Sequence, residues 1–275
     1  MIEYLYLGRV NYDEALRLQT EIAAFVTEGR TQNVLLLLEH PPVLTLGRNA
    51  RRSNILASNE FLAQRGVTVH EINRGGDVTY HGPGQLVGYP IFDLRTLRSP
   101  HGSRMGPVDF VRGMEEALIR LCLDFGVAAG RICGLTGVWC GVSDKNGEAG
   151  RKIAAIGIHV ARGITSHGFA FNVTTDLSDF ALIVPCGIPD HAVTSLEKEV
   201  QSPSALPGLE AIADQAARLF GQVFGEQVLA VESLDALRTQ AAAAATPQFP
   251  AEDTPLQVPA EIGRLLGTPD RPVRA

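Results

Sequence analysis

RGGDVTYHGPGQLVGYPIFDL, residues Arg74 to Leu94, changes character halfway along. Its first half places Gly75, Gly76, Gly82 and Gly84 among Arg74, Asp77, Tyr80, His81 and Gln85, with Pro83 between the last two glycines. Its second half is apolar and rich in strand-forming residues. Glycine frees the backbone to take positive φ and to approach a bound group closely, at an entropic cost that an ordinary connection has no reason to bear. A polar, glycine-dense loop that runs straight into an apolar strand therefore predicts a binding wall on a rigid element. The bland alternative is a long hairpin connection with incidental polar residues. Phosphate cradling is excluded, because no Gly-Lys-Ser/Thr and no G-x-G-x-x-G occurs here.

Upstream, VLLLLEH (34–40) is a continuous apolar run, which predicts a strand buried on both faces and stopped by Pro41-Pro42. VLTLG (43–47) resumes as a strand and opens into a basic loop carrying Arg48, Arg51 and Arg52. VTVHEI (67–72) alternates like a half-buried strand. Asn11 and Glu14 predict a capping box for a helix reaching Gly29. Downstream, Pro107 suits the first turn of a helix to about Phe125, with Phe110, Met114, Leu118, Leu121 and Cys122 inward. RICGLTGVWCGV, DKNG and RKIAAIGIHVARG read as strand, tight turn and strand, and SHGFAFNVTTD as a further glycine-bearing turn. Another helix is expected over 206–224. Strands in hairpin-like pairs with irregularly interspersed helices predict an α+β fold of mixed, largely antiparallel sheets with flanking helices. From Thr239 the chain turns Ala-rich and then Pro-rich, so a catalytic domain is expected over 1–238 and a disordered tail over 239–275.

The chain of 275 residues, 45% hydrophobic, can bury a sizeable core. No apolar run is long enough to span a bilayer, and the acidic start lacks a signal-peptide pattern, so no membrane association and a cytoplasmic location are expected. A net charge of −6 argues against nucleic acid as a partner. The cysteines Cys122, Cys133, Cys140 and Cys186 have neither C-x-x-C nor zinc-ligand spacing, so no metal is expected. No heptad pattern suggests assembly, and a monomer is expected.

Cys186 differs from the other three. Its PCGIP setting excludes a helix interior and holds the thiol on a constrained loop. Context alone leaves nucleophile and buried loop cysteine both open. A nucleophilic cysteine needs a neighbouring cation or base. Lys152, at the start of the apolar IAAIGI, is one source, and is otherwise a solvent-facing lysine. His81, His159, His167 and His191 are alternative bases.

Three blocks, RGGDVTYHGPGQLVGYP, GRKIAAIGIHVARGITSHGFAFNV and PCGIPDHAVTSL, resemble in sequence and order the octanoyltransferase family of lipoate biosynthesis, within the biotin/lipoate protein ligase superfamily. The resemblance extends from about Tyr4 to Phe224. It implies the ligase-like α+β domain, octanoyl-acyl carrier protein as donor, and as acceptors the lipoyl domains of 2-oxoacid dehydrogenase complexes and the glycine cleavage H protein, with no cofactor. It implies that Cys186 carries an acyl thioester and that Lys152 lowers its pKa and acts as acid and base. The acyl site is implied to be lined by Arg74, Gly75, Gly76, Asp77, Val78, Thr79, Tyr80 and His81, by Ala155, Ile156 and Gly157, and by Gly168, Phe169 and Ala170. Backbone N–H groups near Gly187 or in the Gly75–Gly76 loop are alternative oxyanion donors. Arg48, Arg51, Arg52 and Arg151 are candidate docking charges for an acidic carrier. An ATP-dependent lipoate or biotin ligase and a non-catalytic binding relative are the competing readings.

Overall fold

The structure, a computed structural model, describes residues 1–99, 102–142, 150–184 and 192–245. The apolar run of residues 34–40 forms β2 (Asn33–Glu39), whose Val34 to Leu38 have no solvent exposure. Burial on both faces is why the run lacks alternation. β2 lies inside an eight-stranded mixed sheet. On one side it pairs in parallel with β1 (Ile2–Arg9), which pairs in parallel with β11 (Val228–Ala230). On the other it pairs antiparallel with β6 (Gln85–Ile91). From β6 the sheet continues antiparallel through β10 (Ile164–Asn172), β9 (Arg151–Ala161), β8 (Leu135–Cys140) and β7 (Ala129–Ile132).

Helices α3 (Pro107–Asp124) and α5 (Leu209–Phe224) cover one face of this sheet. Phe110, Met114, Leu118, Leu121 and Cys122 of α3 are buried there as expected. Helix α1 (Tyr12–Thr27) covers the other face. It begins after Asn11, but the Asn11 side chain makes no capping hydrogen bond, so the expected capping box is not formed. A second, three-stranded sheet consists of β3 (Val43–Leu46) between β4 (Thr68–Glu71) and β5 (Val78–His81). It has its own small core with α2 (Asn59–Gln64) and a 3₁₀ turn at Leu177–Leu182. A short helix α4 (Leu196–Glu199) follows. The α+β class with mixed, largely antiparallel sheets is thus observed.

Two further expectations need correction. The segment SHGFAFNVTTD is mostly strand: β10 runs to Asn172, and the turn before it is made by Arg162 and Gly163, at φ of 52° and 86°. Two consecutive positive φ values give the hairpin turn whose twist matches antiparallel strands. The boundary at 238/239 also falls inside a helix, α6 (Leu234–Ala245). Alanine is the strongest helix former, and this helix is docked. Leu237 and Ala241 are buried, the Gln240 amide donates to Glu3, and the Arg30 guanidinium donates to the Ala241 carbonyl. The rest of the expected tail, 246–275, lies outside the described residues, as does the Asn146-Gly147 turn.

Candidate active site

The glycine-rich loop between β4 and β5 is fixed by its own backbone. The Gly75 N–H donates to the Ile158 carbonyl at 3.0 Å, and the N–H groups of Arg48 and Asn49 donate to the carbonyls of Arg74 and Gly76. Such packing requires bare backbone. A Cβ on Gly47 would lie 2.4 Å from the Gly76 oxygen, and one on Gly157 would lie 2.7 Å from the Gly75 oxygen. Arg74 is buried, with its guanidinium donating to the Thr45 carbonyl (2.7 Å), the Thr45 hydroxyl (2.9 Å) and the Gly75 carbonyl (3.0 Å). Asp77 accepts from the Asn54 amide and from the Val78 N–H.

β5 then divides its residues by alternation. Thr79 and His81 face a cavity of about 240 Å³ between the two sheets, whereas Val78 and Tyr80 face the small core. The Tyr80 hydroxyl donates to Asp179 at 2.6 Å. Arg74, Gly76 and Asp77 also line the cavity. The opposite wall comes from Ala155, Ile156 and Gly157 of β9 and from Gly168, Phe169 and Ala170 of β10. β6 and β10 approach closely around Gly88 and Gly168: a Cβ on Gly168 would be 2.1 Å from the Gly88 oxygen, and one on Gly88 would be 2.2 Å from the ring of Phe169, its partner in register. Of the sequence-derived loop and strand positions, Gly75, Val78 and Tyr80 do not line this space.

Lys152 reaches the same cavity through a break in strand alternation. Along β9, Ala154, Ile156 and Ile158 point to the main core, so strict alternation would send Lys152 there and Ile153 into the cavity. The register against β8 shifts instead, with Val138 opposite Ala154 and Trp139 opposite Lys152. Ile153 and Ala154 both join the core and Lys152 faces the cavity. A bulge of this kind re-aims a side chain by one residue. Lys152 is 7% exposed, and its ammonium stands 4.6 Å from the centroid of the Trp139 ring. Its backbone also holds the chain that follows residues 185–191: the Lys152 N–H donates to the Ala192 carbonyl, and the Lys152 carbonyl accepts from Thr194. Cys186 and His191 lie outside the described residues.

Apart from His167, one of the alternative bases, the cavity's other lining groups carry no strong sequence signal. Tyr12 comes from α1, Val87 and Tyr89 from β6, Gly134, Leu135 and Thr136 from the β7–β8 hairpin, and His167 from β10. His167 has φ of 56°, a strained value for a non-glycine residue. Its N–H donates to the Gln19 side chain, and its Nε2 lies 2.7 Å from Asn73 Oδ1. Behind it, the His40 Nδ1–H donates to the Val10 carbonyl, so Nε2 of the neutral ring accepts from the Tyr89 hydroxyl, each at 2.7 Å. Desolvation depresses these imidazoles: His40 to about 4, His81 to about 3 and His167 to about 4. The same burial raises the Tyr12 and Tyr89 hydroxyls above their usual range. At neutral pH the chamber is walled by uncharged rings, with the side chains of Arg74, Asp77 and Lys152 beside them.

Of the described cysteines, Cys122 and Cys140 are buried; burial raises the Cys122 thiol well above the usual range and pushes Cys140 up to about 12. Neither forms a thiolate near neutral pH. Arg151 makes a two-pronged pair with Glu199, and Arg52 pairs with Glu71. Among the described residues, no three His, Cys, Asp or Glu groups are placed to hold a metal, and no helix is long and apolar enough to cross a membrane.

A two-sheet α+β frame around a cavity with one buried lysine has close relatives of fold. The bi-partite lipoate protein ligase of Thermoplasma acidophilum superposes with a TM-score of 0.64 at 16% identity, covering 88% of this chain and 91% of that one. A lipoate-protein ligase A bound with ATP gives 0.63 at 16% identity, covering 88% and 94%. Residues 11–217 match the lipoyl protein ligase A/B catalytic domain model, which defines the class. The octanoyltransferase of Acidobacterium capsulatum is 60% identical over 85% of this chain and 94% of its own length. That of Koribacter versatilis is 51% identical over 96% and 97%. The chain belongs to the octanoyltransferase family, whose members are acyl-transferring enzymes.

Proposed function

We propose that this protein moves an octanoyl group from octanoyl-acyl carrier protein to the ε-amine of a lysine on a lipoyl domain, through a thioester on Cys186. The observation that carries the reading is Lys152: buried, turned by a bulge into an apolar chamber, and bonded through its backbone to the residues that immediately follow the Cys186 segment. The Cys186 thiolate attacks the donor carbonyl carbon, the C–S bond to the carrier breaks, and the Lys152 ammonium gives its proton to the departing carrier thiolate, which leaves Lys152 neutral for the second step. The acceptor amine then attacks the new thioester, Lys152 takes the amine's proton, and the Cys186 thiolate is released. Covalent catalysis divides one protein-to-protein transfer into two easier steps, and ping-pong kinetics follow. Gly157 and Gly168 let an extended chain approach the backbone, while Ala155, Ala170 and Val87 give it apolar walls. No cofactor enters this scheme. The acceptors are the lipoyl domains of 2-oxoacid dehydrogenase complexes and the glycine cleavage H protein, met by a monomer in the cytoplasm.

Intact-protein mass spectrometry after incubation with octanoyl-acyl carrier protein, without ATP, tests the scheme. Wild type should gain an octanoyl adduct that hydroxylamine removes and an apo lipoyl domain discharges; Cys186→Ser should gain none. No adduct, with transfer appearing only on adding ATP, would replace the scheme by a ligase mechanism. Neither adduct nor ATP-dependent transfer would leave a binding protein.

A further inference from the structure

α3 carries a carboxylate inside its apolar stripe. Glu115 has no solvent exposure, yet it belongs to no part of the cavity lining. One oxygen, Oε2, accepts from Arg112 (2.6 Å) and Arg131 (3.0 Å), which balance its charge. The other, Oε1, accepts from the backbone N–H of Gly137 at 3.0 Å. A buried charge is costly even when paired, and two arginines alone could pair with Glu116 at the surface, as Arg131 also does. The distinctive bond is therefore the one to Gly137.

Gly137 sits beside the bulge that turns Lys152. Its φ of 126° favours glycine, and a Cβ there would stand 2.6 Å from the Ala154 oxygen and 3.5 Å from Lys152 Cε. Gly137 thus packs on the bulged backbone and on the Lys152 stem at once. It follows Gly134, Leu135 and Thr136 of the cavity lip and is two residues from Trp139, whose ring lies under the ammonium. An N–H with no acceptor at this depth would draw the backbone away.

We propose that Glu115 is a positioning residue for Lys152: its carboxylate holds Gly137 against the β9 bulge and so aims the ammonium into the cavity. This rests on Lys152 being the acid and base of the transfer. A carboxamide at 115 keeps an oxygen for the Gly137 N–H, whereas alanine leaves that N–H without an acceptor. Trp139 is the chain's single tryptophan, so its emission reports on the Lys152 contact without reference to activity.

The full-length wild type, Glu115→Ala, Glu115→Gln, Gly137→Ala and Lys152→Met are compared by Trp139 emission, far-UV circular dichroism and octanoyl transfer to a lipoyl domain. Glu115→Ala should change Trp139 emission in the same sense as Lys152→Met and lower kcat about tenfold or more, with KM for the lipoyl domain within about twofold. Glu115→Gln should retain most of both signals. Gly137→Ala should reproduce the Glu115→Ala signature, and it carries the test if Glu115→Ala does not fold. Unchanged emission and kcat in folded Glu115→Ala or Gly137→Ala would overturn the proposal, as would equal losses in the Ala and Gln variants. If Lys152→Met transfers at the wild-type rate, the catalytic reading of Lys152 fails and this proposal fails with it.

Discussion

Lys152 shows how far one residue's behaviour depends on its neighbours. As a letter it stands at the mouth of an apolar strand, where solvent is the ordinary destination for a lysine. The bulge at Ile153–Ala154 reverses that, and no feature of a single sequence announces a bulge. Lys152→Met, which keeps the bulk and removes the base, should lower the transfer rate about 100-fold or more, the usual span for a lost acid–base group; steady-state kinetics with a lipoyl domain measure it. The buried histidines give a second expectation. Their folded pKa values lie below the unfolded value near 6.5, so the unfolded chain binds more protons once pH drops below about 6.5. Stability should hold above that pH and fall as pH moves from 6.5 toward 4, by up to about 1.4 kcal/mol per unit for each histidine that stays neutral. Carboxylates whose pKa is depressed by arginine partners, such as Glu199, add their losses only lower down, as pH falls through values below about 4.5. Thermal unfolding between pH 7.5 and 4.5 checks the trend; a flat midpoint would remove it. Tyr12, Tyr89 and Gly134–Thr136 escaped the sequence reading because nothing local marks them. Glu115 left a trace, a carboxylate among the inward residues of an amphipathic helix.

Elements were more legible than residues where burial imposes a period. The β2 run, the α3 stripe with Pro107 at its start, and the strand after Pro83-Gly84 could be read because each buries one face or two. β10 was misread because its glycine looked like a turn. Gly168 instead permits contact with β6, and Gly88 makes room for the Phe169 ring on the partner strand. Gly88→Ala should push that ring aside and destabilise the fold by about 1–3 kcal/mol, the usual cost of overpacking; denaturant unfolding would show it, and a wild-type midpoint would refute the tight contact. α6 was misread because an alanine run carries little burial signal. Truncation after Ala245 should leave unfolding and transfer unchanged. Truncation after Ser233 should cost at least about 2 kcal/mol, since Leu237 loses full burial.

The whole molecule carries a charge of −6, and an acidic carrier would be repelled unless basic groups gather locally. Of the four candidate arginines, Arg151 is held by Glu199 and Arg52 lies against Glu71, while Arg48 and Arg51 are exposed beside the loop that covers the cavity. Reversing both Arg48 and Arg51 to Glu should lower kcat/KM for octanoyl-acyl carrier protein about tenfold at low salt, with the gap closing as salt screens it. A small octanoyl thioester should react unchanged; equal losses with both donors would instead indicate damage to the site. Sequence alone carried the α+β class through hydrophobic period, and through the resemblance of three glycine-bearing blocks it carried the family and most of the residues on both cavity walls, because such patterns are local properties written in residue order. Folding in three dimensions set the rest: which face of β9 Lys152 takes, that Val78 and Tyr80 turn from the cavity while Tyr12 and His167 enter it, and that Glu115 reaches Gly137. Each of these depends on strand register and on contacts between residues far apart in the chain, which no single stretch of sequence encodes.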